Sequence, residues 1–182
     1  MTVAQLVETI QGVQTATLQQ FVPMPAIIQC LEFETLPPGA QYPCGSSFTE
    51  ANVTVVAEPF QWEGGQWTTS GHAEVASLGA AGGSGQELVV NNVTLGFYFG
   101  GPVNNLELRF GEFGGNLNVR INGVFQNINN FIDIDGTTIG GVYVASHNGY
   151  GNDQGLLRLT GPLHSFAVGG QELVIDAVCT TC

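Results

Sequence analysis

The sequence predicts an all-β domain, an antiparallel β-sandwich of the jelly-roll type, preceded by an N-terminal extension containing a short helix. Three observations carry this. From Leu31 onward, short runs rich in β-branched and aromatic residues recur between turn-forming residues. Over the same stretch no helical period persists for about ten residues, so βαβ alternation is missing. The 26 glycines follow no collagen-like period and instead cut the chain into short elements. With 182 residues, 43% hydrophobic and 10% charged, the chain is long and apolar enough to bury a substantial core as one domain.

The extension covers residues 1–29 and the sandwich residues 30–182. In TVAQLVETIQGV (2–13), Val3, Leu6, Val7, Ile10 and Val13 share one helical stripe, and Thr2 with Gln5 resembles a capping box. Residues 14–29 are rich in Gln and Thr and then punctuated by Pro23 and Pro25, which suits an extended connector. LEFE (31–34) reads as the first strand, LEFETL being followed by the turn-rich PPGAQYPCG, and NVTVVAEPF (52–60) leads into WEGGQW. LGFYF, LELRF and NLNVRI follow, the last ending in Asn122-Gly123, a dipeptide suited to a type I′ hairpin. VFQNI, GGVYVAS, LLRLT, HSFAV and ELVIDAV complete the set. In LELRF, Leu106, Leu108 and Phe110 face one way and Glu107 and Arg109 the other. Leu117, Val119 and Ile121 alternate in the same manner with Asn116, Asn118, Arg120 and Asn122.

One phrase occurs twice: GQELVVNNV at 85–93 and GQELVIDAV at 170–178. The flanking text is not repeated in order, since GPVNNLEL follows the first copy and GPLHSFAV precedes the second. The echo therefore reads as two strands meeting one physical demand rather than as a tandem duplication. Asp176 stands where the first copy has Asn91, which marks it as a place to look for chemistry.

Charge narrows the partners. There is no lysine, the cations are Arg109, Arg120 and Arg158, and 15 acids bring the net charge to −12. Nucleic-acid backbones and anionic lipid surfaces are excluded as partners, while divalent cations are natural counterparts. No apolar run approaches the roughly 18 residues of a membrane span, so no membrane insertion is expected. The first residues show neither a basic n-region nor an apolar h-region, so no intact signal peptide is expected. Cys30 stands just before the first predicted strand and Cys179 just after the last. Antiparallel pairing of those strands would bring the two sulfurs within bridging range, leaving Cys44 with Cys182. Cys30–Cys44 with a Cys179–Cys182 clasp is the competing connectivity, and a zinc site the third reading. A disulfide closing so long a loop contributes about 4–5 kcal/mol in the chain-entropy model and suits an oxidising, extracellular compartment.

The stretch FGGPVNNLELRFGEFGGNLNVRINGVFQNINNF, with IGGV and LTGPLHSFAVGGQELVIDAVC further on, resembles secreted bacterial β-sandwich domains. A more distant likeness is to jelly-roll carbohydrate-binding and galactose-binding-like modules. LEFETL, the glycine-framed FGEFGGN turn and the closing ELVIDAV are the markers, over roughly residues 30–179. The resemblance implies a structural calcium ion held by an acid of the first strand and an aspartate of the last. Carried over by position, these are Glu32 or Glu34 with Asp176, although Asp-Ala stands here where those modules often show Asp-Asp.

Several residue groups are candidate sites. An unpaired carboxylate at Asp176 would be expensive to bury, so it either meets a cation or sits at an exposed strand end. Asp133 and Asp135 form D-x-D-G, a fragment of a calcium loop, or else outward acids leading into an Asp-Gly turn. Trp62 and Trp67 flank Glu63, two glycines and Gln66; exposed indoles there would suit sugar faces, and buried ones a cross-strand pair capping the core. Asn116, Asn118, Arg120 and Asn122, with Glu107 and Arg109, offer a second polar platform, or an ordinary solvated face. Asn52 and Asn92 begin glycosylation sequons. His72, His147 and His164 are scattered, with no catalytic spacing. The expectation is an exported, non-catalytic module that binds carbohydrate or another extracellular surface, with structural calcium. One alternative is a self-assembling extracellular subunit, a homo-oligomer built through residues 1–29. A glycan-active hydrolase is the other.

Overall fold

The computed structural model describes residues 28–181; the predicted helix and the rest of the extension before Ile28 lie outside them. Strand makes up 58% of the structure and helix 3%, which settles the class as all-β. In chain order the first strands are β1 (Ile28–Leu31), β2 (Gln41–Pro43), β3 (Ser47–Glu50), β4 (Val53–Glu58), β5 (Phe60–Gln61) and β6 (Trp67–Thr68). β7 (His72–Ala76), β8 (Glu87–Asn91), β9 (Val93–Tyr98), β10 (Val103–Glu112), β11 (Leu117–Ile121) and β12 (Val124–Ile128) follow. A 3-10 turn, Phe131–Ile134, leads to β13 (Thr138–Ile139), β14 (Val142–His147), β15 (Asp153–Leu163), β16 (Phe166–Gly170) and β17 (Leu173–Thr181).

These strands form a nine-stranded antiparallel sheet, a six-stranded one and the separate β5–β6 hairpin. The large sheet runs β13-β14-β15-β10-β17-β8-β7-β2, with β1 also beside β17. The small sheet runs β12-β11-β16-β9-β4-β3. Between them lies one continuous core, to which the large sheet gives Leu106, Leu108 and Phe110 and the small sheet Leu95, Phe97, Leu117 and Val119. Burying each such side chain contributes about 1.5–3 kcal/mol, and this is what holds the layers together. The alternation read in LELRF and NLNVRI is correct. Their polar faces do not make one platform, however, because β10 belongs to the large sheet and β11 to the small one, and the two face opposite sides of the sandwich.

The first strand departs from expectation. It spans Ile28–Leu31, not LEFE, because Phe33 takes a left-handed backbone (φ 60°) that ends the pairing with β17. Two things hold that conformation. The Phe33 ring is fully buried, and its N–H donates to Glu50 Oε2 at 2.9 Å. Glu32 and Glu34 consequently flank an irregular segment and are exposed.

The repeated phrase has a physical explanation. β8 and β17 are neighbours, with Leu173 opposite Val90, Val174 opposite Val89 and Ile175 opposite Leu88. The two copies therefore pair with one another about a local twofold through Val89 and Val174. Even the backbone repeats, since Asn92 and Ala177, at matching places in the phrase, both have positive φ (52° and 46°). In the first copy this turns the chain toward β9 in the other sheet. In the second it makes a β-bulge against β10, between Glu107–Cys179 and Arg109–Asp176. Asn tolerates this conformation readily, whereas alanine accepts it at a cost of about 1 kcal/mol.

Cys30 lies directly opposite Cys179, and the two are joined as a disulfide across 149 residues. That settles the first pair and removes both thiolates from any zinc site. Cys44, half-buried at the core edge, has no sulfur partner among the described residues, and Cys182 lies outside them. The predicted turn at Asn122-Gly123 has positive φ at both positions (49° and 81°), as type I′ requires.

Candidate functional site

The outer face of the small sheet is built from its charged and aromatic side chains and the hairpin lying beside them. β5 and β6 pair Gln61 with Trp67, and the intervening turn closes through Trp62 N–H to the Gln66 carbonyl at 2.9 Å. Two strands alone are marginal in water, so the hairpin depends on what it rests upon. Asn118 supplies that support. Its Oδ1 accepts from Gln61 N–H at 2.7 Å and its Nδ2 donates to the Gln61 carbonyl at 2.8 Å, a backbone-like pair offered by a fully buried amide. Asn116 accepts from Glu63 N–H at 3.1 Å, and Asn127 on β12 also donates to the Gln61 carbonyl at 2.7 Å.

Asn116 and Asn118 are thus not an open polar platform. They are buried, Asn118 committed to the hairpin and Asn116 shared between the hairpin and Asn127. Nor do the two tryptophans form one surface. Trp62 is half-buried, edge-on to Phe60 at 5.3 Å, while Trp67 is 57% exposed and its ring lies 5.5 Å from Phe125. Glu63 and Gln66 are exposed at the hairpin tip.

Arg120 continues the surface that Trp67 begins, since it is directly opposite Phe125 in the β11–β12 ladder. Its Nη2 donates to both oxygens of Glu58, at 2.9 and 2.7 Å, across the intervening strands β16 and β9. Glu58 also accepts from Tyr98 O–H at 3.0 Å, and that bond pushes the phenol above its ordinary 10.0, keeping it a donor. Tyr98 is half-exposed. Trp67, Phe125, Arg120, Glu58 and Tyr98 therefore form one contiguous strip. Phe125 and Tyr98 escaped the sequence reading; each alternates outward in its own strand, and only the sheet order shows that they share a face.

The opposite side of the molecule holds Asp176. It is 2% exposed and lines a cavity of about 510 Å³ together with Glu32, Glu107, Arg109 and the Gly82–Ser84 loop. The loop can cross it so closely because residue 83 is glycine, as a Cβ there would collide with Asp176 Oδ2. Among the buried acids, Glu87 accepts three backbone N–H groups, from Leu78, Ala80 and Ala81. Glu112 accepts two, from Phe131 and Gly151, although burial still raises its pKa. Asp176 receives one, from its own neighbour Ala177 at 2.7 Å. Burial raises it to about 6, with the negative charges of Glu32, Glu87 and Glu34 adding to the effect.

The predicted acids thus gather near Asp176, but unequally. Glu32 lines the cavity, whereas Glu34 accepts from Gln86 N–H at 2.6 Å beside the loop. A hard cation needs several oxygen donors, and of the two predicted acids Glu32, not Glu34, shares the cavity with Asp176. Asp133 and Asp135 have structural work instead: Asp133 accepts from Asn129 and Asn130 at the 3-10 turn, and Asp135 from Ser146. Of the two sequons, Asn52 is exposed in the β3–β4 turn and Asn92 is half-buried.

Compared with protein-family models, curated proteins and solved structures, the chain matches none. The described fold is a β-sandwich.

Proposed function

We propose that the chain is a non-catalytic, extracellular carbohydrate-binding module whose contact surface is the outer face of the small sheet. The observation that carries this reading is the strip from Trp67 through Phe125 and Arg120–Glu58 to Tyr98. Half-exposed aromatic rings at either end offer apolar faces to sugar rings, and the polar groups between them offer donors and acceptors to hydroxyls. The buried acids support a non-catalytic role, since Glu87 and Glu112 are committed to backbone N–H groups. The disulfide fits an oxidising compartment. A glycan array read with wild type, Trp67→Ala and Tyr98→Ala tests it: specific hits that vanish in both variants support the reading, and an empty array refutes it.

The cavity beside Asp176 supports a second component, a structural calcium ion held by Asp176 and Glu32. Its support is Asp176 Oδ2, which accepts from no donor among the described residues. Calcium should raise the melting temperature of the wild type and leave Asp176→Asn unchanged; identical responses would remove the ion from the reading.

A further inference from the structure

The small sheet's outer face is electrically unlike the rest of the chain. In a protein of net charge −12, its strands contain only Glu50, Glu58 and Arg120 as charged residues. Glu50 is turned inward onto the N–H groups of Phe33 and Thr35. Glu58 and Arg120 remain in the strands, and they neutralise each other at 2.7 Å; beside them, Glu63 at the hairpin tip adds an exposed carboxylate. Both Glu58 oxygens are engaged, one of them also by Tyr98. Gly96 makes the arrangement feasible, because a Cβ there would strike Glu58 Oε1. The carboxylate thus lies across a bare patch of sheet to reach an arginine three strands away.

A guanidinium left open at this position would be a strong fork for carboxylate or sulfate groups. Here an internal carboxylate already holds Nη2 with both of its oxygens. We infer that the ligand is an uncharged glycan, and that Glu58 sets this specificity by occupying Arg120. The inference rests on the carbohydrate-binding reading and narrows it. Sugar hydroxyls can use the remaining donors of Arg120 while the sugar rings stack on Trp67 and Tyr98, whereas a uronate seeking a two-pronged pairing would have to compete with Glu58 for Nη2 and leave it with Tyr98 alone.

Affinity electrophoresis distinguishes the two levels. At 0.15 M salt the Debye length is about 8 Å, so acids on the far sheet are screened. The matrices are a β-glucan, a glucomannan, a galactomannan, carboxymethylated forms of each, and polygalacturonate. Wild type should be retarded by at least one neutral polymer and about tenfold less by its carboxymethylated form, a difference of about 1.4 kcal/mol. Glu58→Gln should gain about tenfold retardation on polygalacturonate, and Glu58→Gln with Arg120→Gln should lose it again. Glu74→Gln, which removes one acid from the large sheet, should gain nothing. Equal retardation by neutral and carboxymethylated polymers overturns the inference even if Glu58→Gln does not fold, as does a folded Glu58→Gln that gains nothing; both leave the binding reading standing. Retardation by no neutral polymer counts against the binding reading itself.

Discussion

On the outer face of the small sheet, Asn116, Asn118, Asn127, Arg120 and Glu58 each find partners within the chain. On the outer face of the large sheet, Arg109 is exposed with no ion pair among the described residues, and one Asp176 oxygen has no donor. Both faces belong to strands with the same inward apolar alternation, so hydrophobic patterning does not separate them. What separates them is whether their charged groups are paired, since among uncharged groups the small sheet too leaves Thr94 Oγ1 buried without a partner among the described residues. A face whose strand charges pair with each other presents its rings. One with unpaired charges stores electrostatic cost and responds to protons or cations.

The largest expected effect falls on the large sheet. Replacing Cys30 and Cys179 together by serine removes a cross-link spanning 149 residues. Unfolding free energy should drop by about 4–5 kcal/mol in the chain-entropy model. Only β1 is clipped to β17 by this bond, so glycan retardation of the folded variant should stay at the wild-type level. Loss of binding at a temperature where the variant is still folded would show that the two faces are coupled.

Asn118→Ala tests the small sheet's saturation directly. It deletes two hydrogen bonds to Gln61 and leaves that backbone N–H without its acceptor. Denaturant titration should show a loss of about 2–3 kcal/mol. With the hairpin undocked, Trp67 loses its place beside Phe125 and binding should fall with it. An unaltered hairpin, seen as unchanged tryptophan emission, would mean that Asn116 and Asn127 suffice to hold it.

The contrast between the faces was only partly legible in the sequence. Alternation in LELRF and NLNVRI identified the inward residues, because a period of two is local. It could not say that the two strands belong to different sheets, which depends on pairings far apart in the chain. Cys30 and Cys179 were readable because disulfide geometry demands adjacent strand ends. The end of β1 at Leu31 was not, since it depends on Glu50 reaching back to Phe33 from another strand. The echo singled out Asp176, which the structure leaves 2% exposed. Its burial, however, comes from the Gly82–Ser84 loop, whose glycines by themselves signal only a turn. Tyr98 and Phe125 carried no signal until the sheet order set them beside Arg120.

Asp176 should make stability depend on pH. Its native pKa is raised to about 6 from an ordinary 3.8, with Glu32, Glu34 and Glu87 near it and Arg109 opposite it on β10. Between those values the native state holds a proton that the unfolded chain has lost, so stability falls as pH rises through that window and levels off above it. Asp176→Asn should flatten this dependence and raise stability at pH 8 by about 2 kcal/mol in chelator. If wild type and variant show parallel pH profiles, the carboxylate is not under electrostatic stress.

The smallest expected change in stability is at Gly96, yet it bears most directly on the contrast. Its backbone lies in ordinary strand territory, so alanine brings no φ penalty there and reduces the entropy of the unfolded chain. Against this, the new Cβ meets Glu58 Oε1 and presses on the Tyr98 ring at 3.3 Å. Glu58 is the movable party and should swing away, breaking its bonds to Arg120, a pair about one-third exposed on the arginine side. Such a pair contributes about 0–1 kcal/mol. The two effects offset, and Gly96→Ala should melt within a few degrees of wild type. It should nevertheless gain retardation on polygalacturonate, as Glu58→Gln does, because both variants uncover the same guanidinium. If Gly96→Ala keeps the wild-type preference for uncharged chains while remaining folded, Glu58 has another route to Arg120, and the bare strand beneath it is not what permits the neutral face.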